Sequence, residues 1–198
     1  EFTQIDLEMS FVKEEDVISF VEDLLINIFK EIKGIEISKP FKRISYQDSM
    51  DKYGNDRPDT RFDLELVEIT DIFQNTKFKV FKDVVDKKGL IKCLKLTNSS
   101  LSRNDIDLLT KYAQENGAKG LAWIKALEEE LQSPILKFFS EEETSSLKEK
   151  MKLEPGDIIF FGAGPEDIVN KYMSLVRLKL GEELNLIDKN QFNFVWIT

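Results

Sequence analysis

The sequence predicts an α+β fold with a mixed or antiparallel sheet, and three observations carry that reading. Short apolar runs of strand length recur along the chain. Between them lie segments whose apolar residues repeat every three or four positions, the period of a half-buried helix. The strand-like runs are joined both by turns and by these helical segments. The chain has 198 residues, of which 41% are hydrophobic and 33% charged, with fifteen Phe as bulky core material. That balance is normal for a globular protein.

Residues 1–11 alternate. Gln4, Asp6, Glu8 and Ser10 fall on one side, and Ile5, Leu7, Met9 and Phe11 on the other. A period of two predicts a strand with one polar and one apolar face. From residue 14 the period changes. Val17, Phe20, Val21, Leu24, Leu25, Ile28 and Ile32 predict a helix over 14–33. Glu14, Glu15 and Asp16 suit its positive end, and Gly34 supplies a stop. Lys13 stands where a capping Ser or Thr is expected. A turn at 38–40 and a short strand at 41–44 follow. Ser45 and Asp48 have capping spacing for a short helix ending near Gly54.

Residues 55–61 form a polar connection containing Pro58, and the main boundary is placed there. Beyond it, strands are predicted at 64–69, 78–84 and 90–96. Ser102 and Asp105 open a helix that Gly117 closes. Further strands are predicted at 120–125 and near 135–139. A surface helix covers 141–152 and a strand 157–162. Pro165 opens a helix that Gly181 ends, and 192–197 is a last apolar strand. Both ends of the chain are expected to interrupt sheet strands.

Composition excludes several chemistries. Histidine is absent, so a Ser–His or Cys–His mechanism and a His-containing zinc site are ruled out. The single cysteine, Cys93, sits in an apolar run and reads as a buried thiol; one cysteine makes no internal disulfide, which fits a reducing, cytoplasmic compartment. No apolar run approaches the ~20 residues needed to cross a bilayer, so no membrane association is expected. The net charge of −9 argues against binding nucleic acid by total charge alone.

Three groups could carry function. Gln4 and Asp6, two residues apart on the polar face of the opening strand, suit an ammonium group and a polar side chain, or are simply solvated. The loop 53–62, YGNDRPDTRF, packs Asp56, Arg57, Asp59 and Arg61 around one proline. It can brace itself through charge-assisted hydrogen bonds, or bind an anion; the first is favoured. The stretch 77–95 holds seven lysines against two acids. At strand spacing these lysines could face a phosphate backbone or be the wet face of a half-buried sheet. The acid runs 128–130 and 141–143 suggest no metal site, and the Gly162–Ala163–Gly164 turn lacks phosphate-loop spacing.

Taken in order, several segments resemble bacterial-type aspartyl-tRNA synthetases, which are class II enzymes. EFTQIDLEMSF at 1–11 resembles the end of the second class II signature motif. YGNDRPDTRFDLEL at 53–66 resembles a later catalytic-domain segment. NGAKGLAWIK at 116–125, SPILKFF at 133–139, PGDIIFFGAG at 155–164 and LVRLKLGEEL at 175–184 resemble the insertion (GAD) domain. FNFVWIT at 192–198 looks like the strand that resumes the catalytic domain. The resemblance implies partial catalytic-domain flanks at 1–62 and 185–198 around an insertion at 63–184.

It further implies a parent enzyme that activates aspartate with ATP to aspartyl-adenylate and transfers it to tRNA(Asp). The parent would use ATP and Mg2+ and form a homodimer. By motif position Asp6 would hold the substrate's α-ammonium group, with Gln4 beside it and Glu1 at the active-site end of the strand. If the insertion is a binding module, Lys79, Lys82, Lys92 and Lys95 of the basic stretch are the candidates for contact with the acceptor end of tRNA. The catalytic set is incomplete within this chain, so the chain alone is expected to be inactive, to bind no cofactor tightly and to hold no metal. The alternative is a tRNA-contacting or structural insertion module, as in a subunit of the tRNA-dependent amidotransferase.

Overall fold

The computed structural model describes residues 1–198, which divide into two compact units. The first comprises residues 1–44, 194–196 and 198. Its long element is helix α1, Glu14–Lys33. No side chain of Lys13 caps it; instead the Asp16 carboxylate accepts from the Lys13 amide at 2.8 Å. Gly34 ends the helix in the left-handed conformation at φ 66°. Strand β1, Lys42–Ile44, follows. Around α1 the unit packs Phe194 against the rings of Phe29 and Phe41, each with centroids 5.1 Å apart. Buried Glu22 is satisfied by the Phe41 amide and the Trp196 indole, each at 3.0 Å. A buried carboxylate survives because such donors replace its water.

The second unit comprises residues 45–193 and 197. It opens with helix α2, Tyr46–Tyr53, capped by Ser45 and closed by left-handed Gly54 as the spacing predicts. Its body is an antiparallel five-stranded sheet. The strands are β2 (Leu66–Glu68), β3 (Leu90–Leu96), β4 (Ala122–Ala126), β5 (Leu131–Gln132) and β6 (Ile158–Gly164), in the spatial order β2-β3-β6-β4-β5. Helices α3 (Lys79–Asp86), α4 (Arg103–Glu115), α5 (Glu141–Met151) and α6 (Glu166–Glu183) complete it. A terminal strand β7, Val195–Ile197, pairs with β1 in a separate two-stranded sheet.

The central strands β3 and β6 are buried on both faces, which is why both are written as apolar runs rather than alternations. One face packs Leu94, Leu96, Ile158 and Phe160 against α4 and α6. The other packs Ile91, Cys93, Ile159 and Phe161 against Phe81 of α3 and Leu147 of α5. Cys93 is fully buried, and burial pushes its thiol well above the ordinary value. The α+β class is the one expected from sequence.

Four local expectations are corrected. Residues 78–84 are not a strand but most of helix α3. The run FKVFKDVV fits both periods, and the helix wins because it turns Phe78, Phe81, Val84 and Val85 together onto the core. Residues 136–138 form a short 3-10 helix rather than a strand. Gly181 does not end α6 but lies inside it, where a Cβ would fall 2.7 Å from the Phe62 ring. Residues 1–11 form no strand, because no neighbouring segment pairs with their backbone groups.

Candidate functional site

The sequence directs attention to three places: the opening segment, the lysine-rich stretch and the YGNDRPDTRF loop. Glu1, Gln4 and Asp6 lie exposed along a segment with no sheet partner. Their apolar neighbours are exposed too, Phe2 at 84% and Ile5 at 74%. The alternation is therefore written into the sequence while neither face is covered in this chain. The structure does not gather these three polar side chains with other groups into a pocket.

The lysines separate into two kinds. Lys79 and Lys82 project from α3 into solvent, where Lys82 pairs with Asp86 one turn on at 3.1 Å. Lys95 leaves β3 half-buried. Its ammonium donates to the Lys152 carbonyl at 2.9 Å and lies 3.4 Å from Asp157. Lys92 is wholly buried. Its ammonium donates to the Met50 and Asp51 carbonyls at 3.0 and 3.1 Å and to Asn170 Oδ1 at 2.8 Å. Burial pulls its pKa down, opposed by Asp51, Glu166 and Glu68. The four lysines do not form one surface, and Lys92 is removed from any set that could touch a phosphate backbone: every proton it can donate is spent inside the protein.

The YGNDRPDTRF loop braces itself. Asn55 Oδ1 accepts from the Arg57 amide at 2.8 Å, and Asp59 accepts from both the Arg61 amide and its guanidinium, the latter at 2.6 Å. That fork holds the Asp59 carboxyl below its usual range. Arg57 points out, 94% exposed. Just beyond the loop, the buried guanidinium of Arg177 donates to three successive carbonyls. Its Nη2 reaches Phe62 and Asp63 at 2.8 and 3.0 Å, and its Nε reaches Leu64 at 2.9 Å. It lies 4.0 Å from the centre of the Phe62 ring and 4.9 Å from that of Tyr53.

Sequence reasoning missed Arg177 and Asn170. A signal existed: both sit on the apolar stripe of α6 with Met173 and Leu180. A charged residue on a core-facing stripe calls for a buried partner. No three Cys, Asp or Glu side chains converge to suit a metal ion. No helix is long and apolar enough to cross a membrane.

Residues 81–173, from α3 into α6, match the GAD domain family. Over its whole length the chain is similar to aspartate–tRNA ligases. It is 54% identical over 197 residues to the aspartate–tRNA(Asp/Asn) ligase of Aquifex aeolicus and 50% identical to that of a Hydrogenobaculum species. It is 45% identical over 199 residues to the aspartate–tRNA ligase of Halalkalibacterium halodurans. Each match covers all of this chain and 33% of the relative. The chain thus spans about a third of the length of the curated relatives it matches.

Proposed function

We propose that this chain is the part of an aspartate–tRNA ligase that carries one wall of the aspartate pocket together with the GAD insertion. Similarity to such ligases along its whole length is the observation that carries the reading. Residues 1–62 and 185–198 are the class II catalytic flanks, and 63–184 the insertion. The whole enzyme would join aspartate to the α-phosphate of ATP, release pyrophosphate, and pass the aspartyl group to tRNA(Asp). It would work as a homodimer in the cytoplasm.

Asp6 is the group for the aspartate ammonium, since a fixed carboxylate both neutralises and hydrogen-bonds that cation. Gln4 lines the same pocket and Glu1 stands at its end. Residues 1–11 are exposed in this chain, so the proposal needs the covering strands to come from the rest of the enzyme. ATP and Mg2+ belong to the whole enzyme. No three carboxylates of this chain converge, so none of its residues is assigned to the ion.

In the full-length ligase, Asp6→Ala should lower kcat/KM for aspartate by about 100-fold or more in ATP–pyrophosphate exchange, as loss of a buried charge-assisted bond requires. Unchanged kinetics would take Asp6 out of the pocket. The 198-residue chain alone should give no aspartate-dependent exchange.

A second reading concerns RNA. Lys79, Lys82 and Lys95 remain candidates for the acceptor end of tRNA, with Lys79 and Lys82 foremost because both side chains are exposed and Lys82 is held only by a solvent-exposed ion pair. Replacing Lys79 and Lys82 by Gln in the ligase should flatten the slope of log K against log salt by about 1–2. An unchanged slope would leave the insertion a structural module.

A further inference from the structure

We infer that Lys92 and Arg177 are positioning residues, and that α6 with β3 forms a seat on the GAD domain that fixes residues 50–64. Both cations are buried, 0% and 1% exposed. Buried cations normally face carboxylates. These two face main-chain carbonyls: Met50, Asp51, Phe62, Asp63 and Leu64, with Asn170 Oδ1 the single side-chain acceptor. The nearest carboxylate oxygen to Lys92 belongs to Asp51, at 3.9 Å. A backbone carbonyl, unlike a carboxylate, does not titrate, and it belongs to the main chain, so these bonds fix where the chain runs and not which side chains it carries.

Two contacts of a different kind mark the same seat. A Cβ on Gly54 would lie 2.4 Å from the Asn170 carbonyl oxygen, so the backbone after α2 touches the backbone of α6 as closely as glycine alone permits. A Cβ on Gly181 would lie 2.7 Å from the Phe62 ring, so the far end of the segment is seated equally tightly. One helix, α6, therefore holds the segment at Asn170, Arg177 and Gly181, and β3 adds Lys92. Asn170 Nδ2 is left buried without a partner, because its Oδ1 is turned to the Lys92 ammonium. The orientation of that amide serves the clamp at the expense of its other end.

The role in catalysis rests on the proposed ligase reading, in which 50–62 belongs to the catalytic flank and α6 to the insertion. The seat then makes the insertion a template for that flank. Movement of the GAD domain is carried to residues 50–64 through the hydrogen bonds that the Lys92 and Arg177 side chains donate to their carbonyls.

The test uses the full-length ligase with Lys92→Met, Arg177→Gln and the milder Arg177→Lys. Amide hydrogen exchange should rise at least tenfold, on the order expected for losing one such anchor, across 50–64. Exchange in β3 and β6 should stay as in the parent. The kcat for aspartate-dependent ATP–pyrophosphate exchange should fall with KM for aspartate little changed. Arg177→Lys, which keeps a cation but not the fork, should fall between parent and Arg177→Gln on both readings. If Arg177→Gln or Lys92→Met fails to fold, Arg177→Lys carries both measurements. Unaltered exchange across 50–64 overturns the seat. Faster exchange with kcat unchanged overturns its catalytic role. A parent enzyme with no aspartate-dependent activity defeats the ligase reading alone, because the exchange pattern is read without turnover.

Discussion

The lysines of α3 and those of β3 come from one basic stretch of sequence, yet they end in opposite environments. α3 shows one face to solvent, and Lys79 and Lys82 stand on it beside acids of their own helix. β3 is a central strand with cover on both faces, so a lysine there must either find acceptors or be excluded. Lys92 finds three acceptors, and Lys95 escapes part-way to the Lys152 carbonyl. Charge count along a sequence thus says little about surface potential until the elements are known. A helix and a strand sort the same residue type differently.

The sharpest way to break this comparison is to remove the buried member. Lys92→Ala takes a donor from the Asp51 carbonyl and the Asn170 oxygen, leaves the Met50 carbonyl with the Gly54 amide alone, and opens a cavity between β3 and α2. The loss should be about 3 kcal/mol in urea unfolding of the chain. A loss under about 1 kcal/mol would mean that water replaces the ammonium, and the contrast with α3 would be one of geometry alone.

The acceptors themselves can be displaced next. Gly54→Ala puts a side chain at φ 71° and drives its Cβ against the Asn170 carbonyl. Left-handed strain of about 1–2 kcal/mol adds to the cost of that collision, for an expected total of about 2–3 kcal/mol. Gly34→Ala is the control. It has the same backbone conformation at φ 66°, but no atom lies within 4 Å of the added Cβ, so only the strain should appear. Equal losses at the two sites would show that the close approach to α6 carries no weight.

Much of this architecture is legible in the sequence, and the exceptions share a cause. The ends of α1, the Ser45 and Ser102 caps and the limits of β3 follow from local signals, because each depends on residues within one or two turns. The helical state of α3 does not, because eight residues of FKVFKDVV satisfy either period, and the core decides. Burial of Lys92 is harder still: its acceptors lie 41, 42 and 78 residues away. The candidate aspartate-binding residues are legible only through family resemblance. Alternation in 1–11 marks two faces, and this chain provides no partner to turn one of them into a wall.

A milder perturbation examines the loop that the Arg177 fork leads into. Arg61 holds the Asp59 carboxyl below its ordinary value, through hydrogen bonding first, with burial opposing. A carboxyl depressed in the folded state adds stability above its unfolded pKa, and that contribution is lost as pH falls through the folded value. The loss therefore belongs to pH below about 4. Both side chains keep some exposure, 17% for Asp59 and 30% for Arg61, so solvent screening limits the effect to about 1 kcal/mol or less. Asp59→Asn should remove that part of the acid limb of a stability–pH profile. An unchanged acid limb would assign the limb to other carboxylates.

The smallest effect should come from the exposed member of the pair with which the comparison began. Lys79→Gln with Lys82→Gln removes two charges and one i,i+4 ion pair, whose two side chains are 57% and 58% exposed. Such pairs contribute a few tenths of a kcal/mol, and glutamine is nearly as good a helix former as lysine. Thermal unfolding of the double variant should fall within about 0.5 kcal/mol of the parent. Near-identity in stability is what makes these two positions usable for testing RNA contact, since any change in salt-dependent binding then belongs to the surface and not to the fold. A loss as large as that of Lys92→Ala would mean that α3 needs its lysine stems for packing, and the division between displayed and buried lysines would collapse.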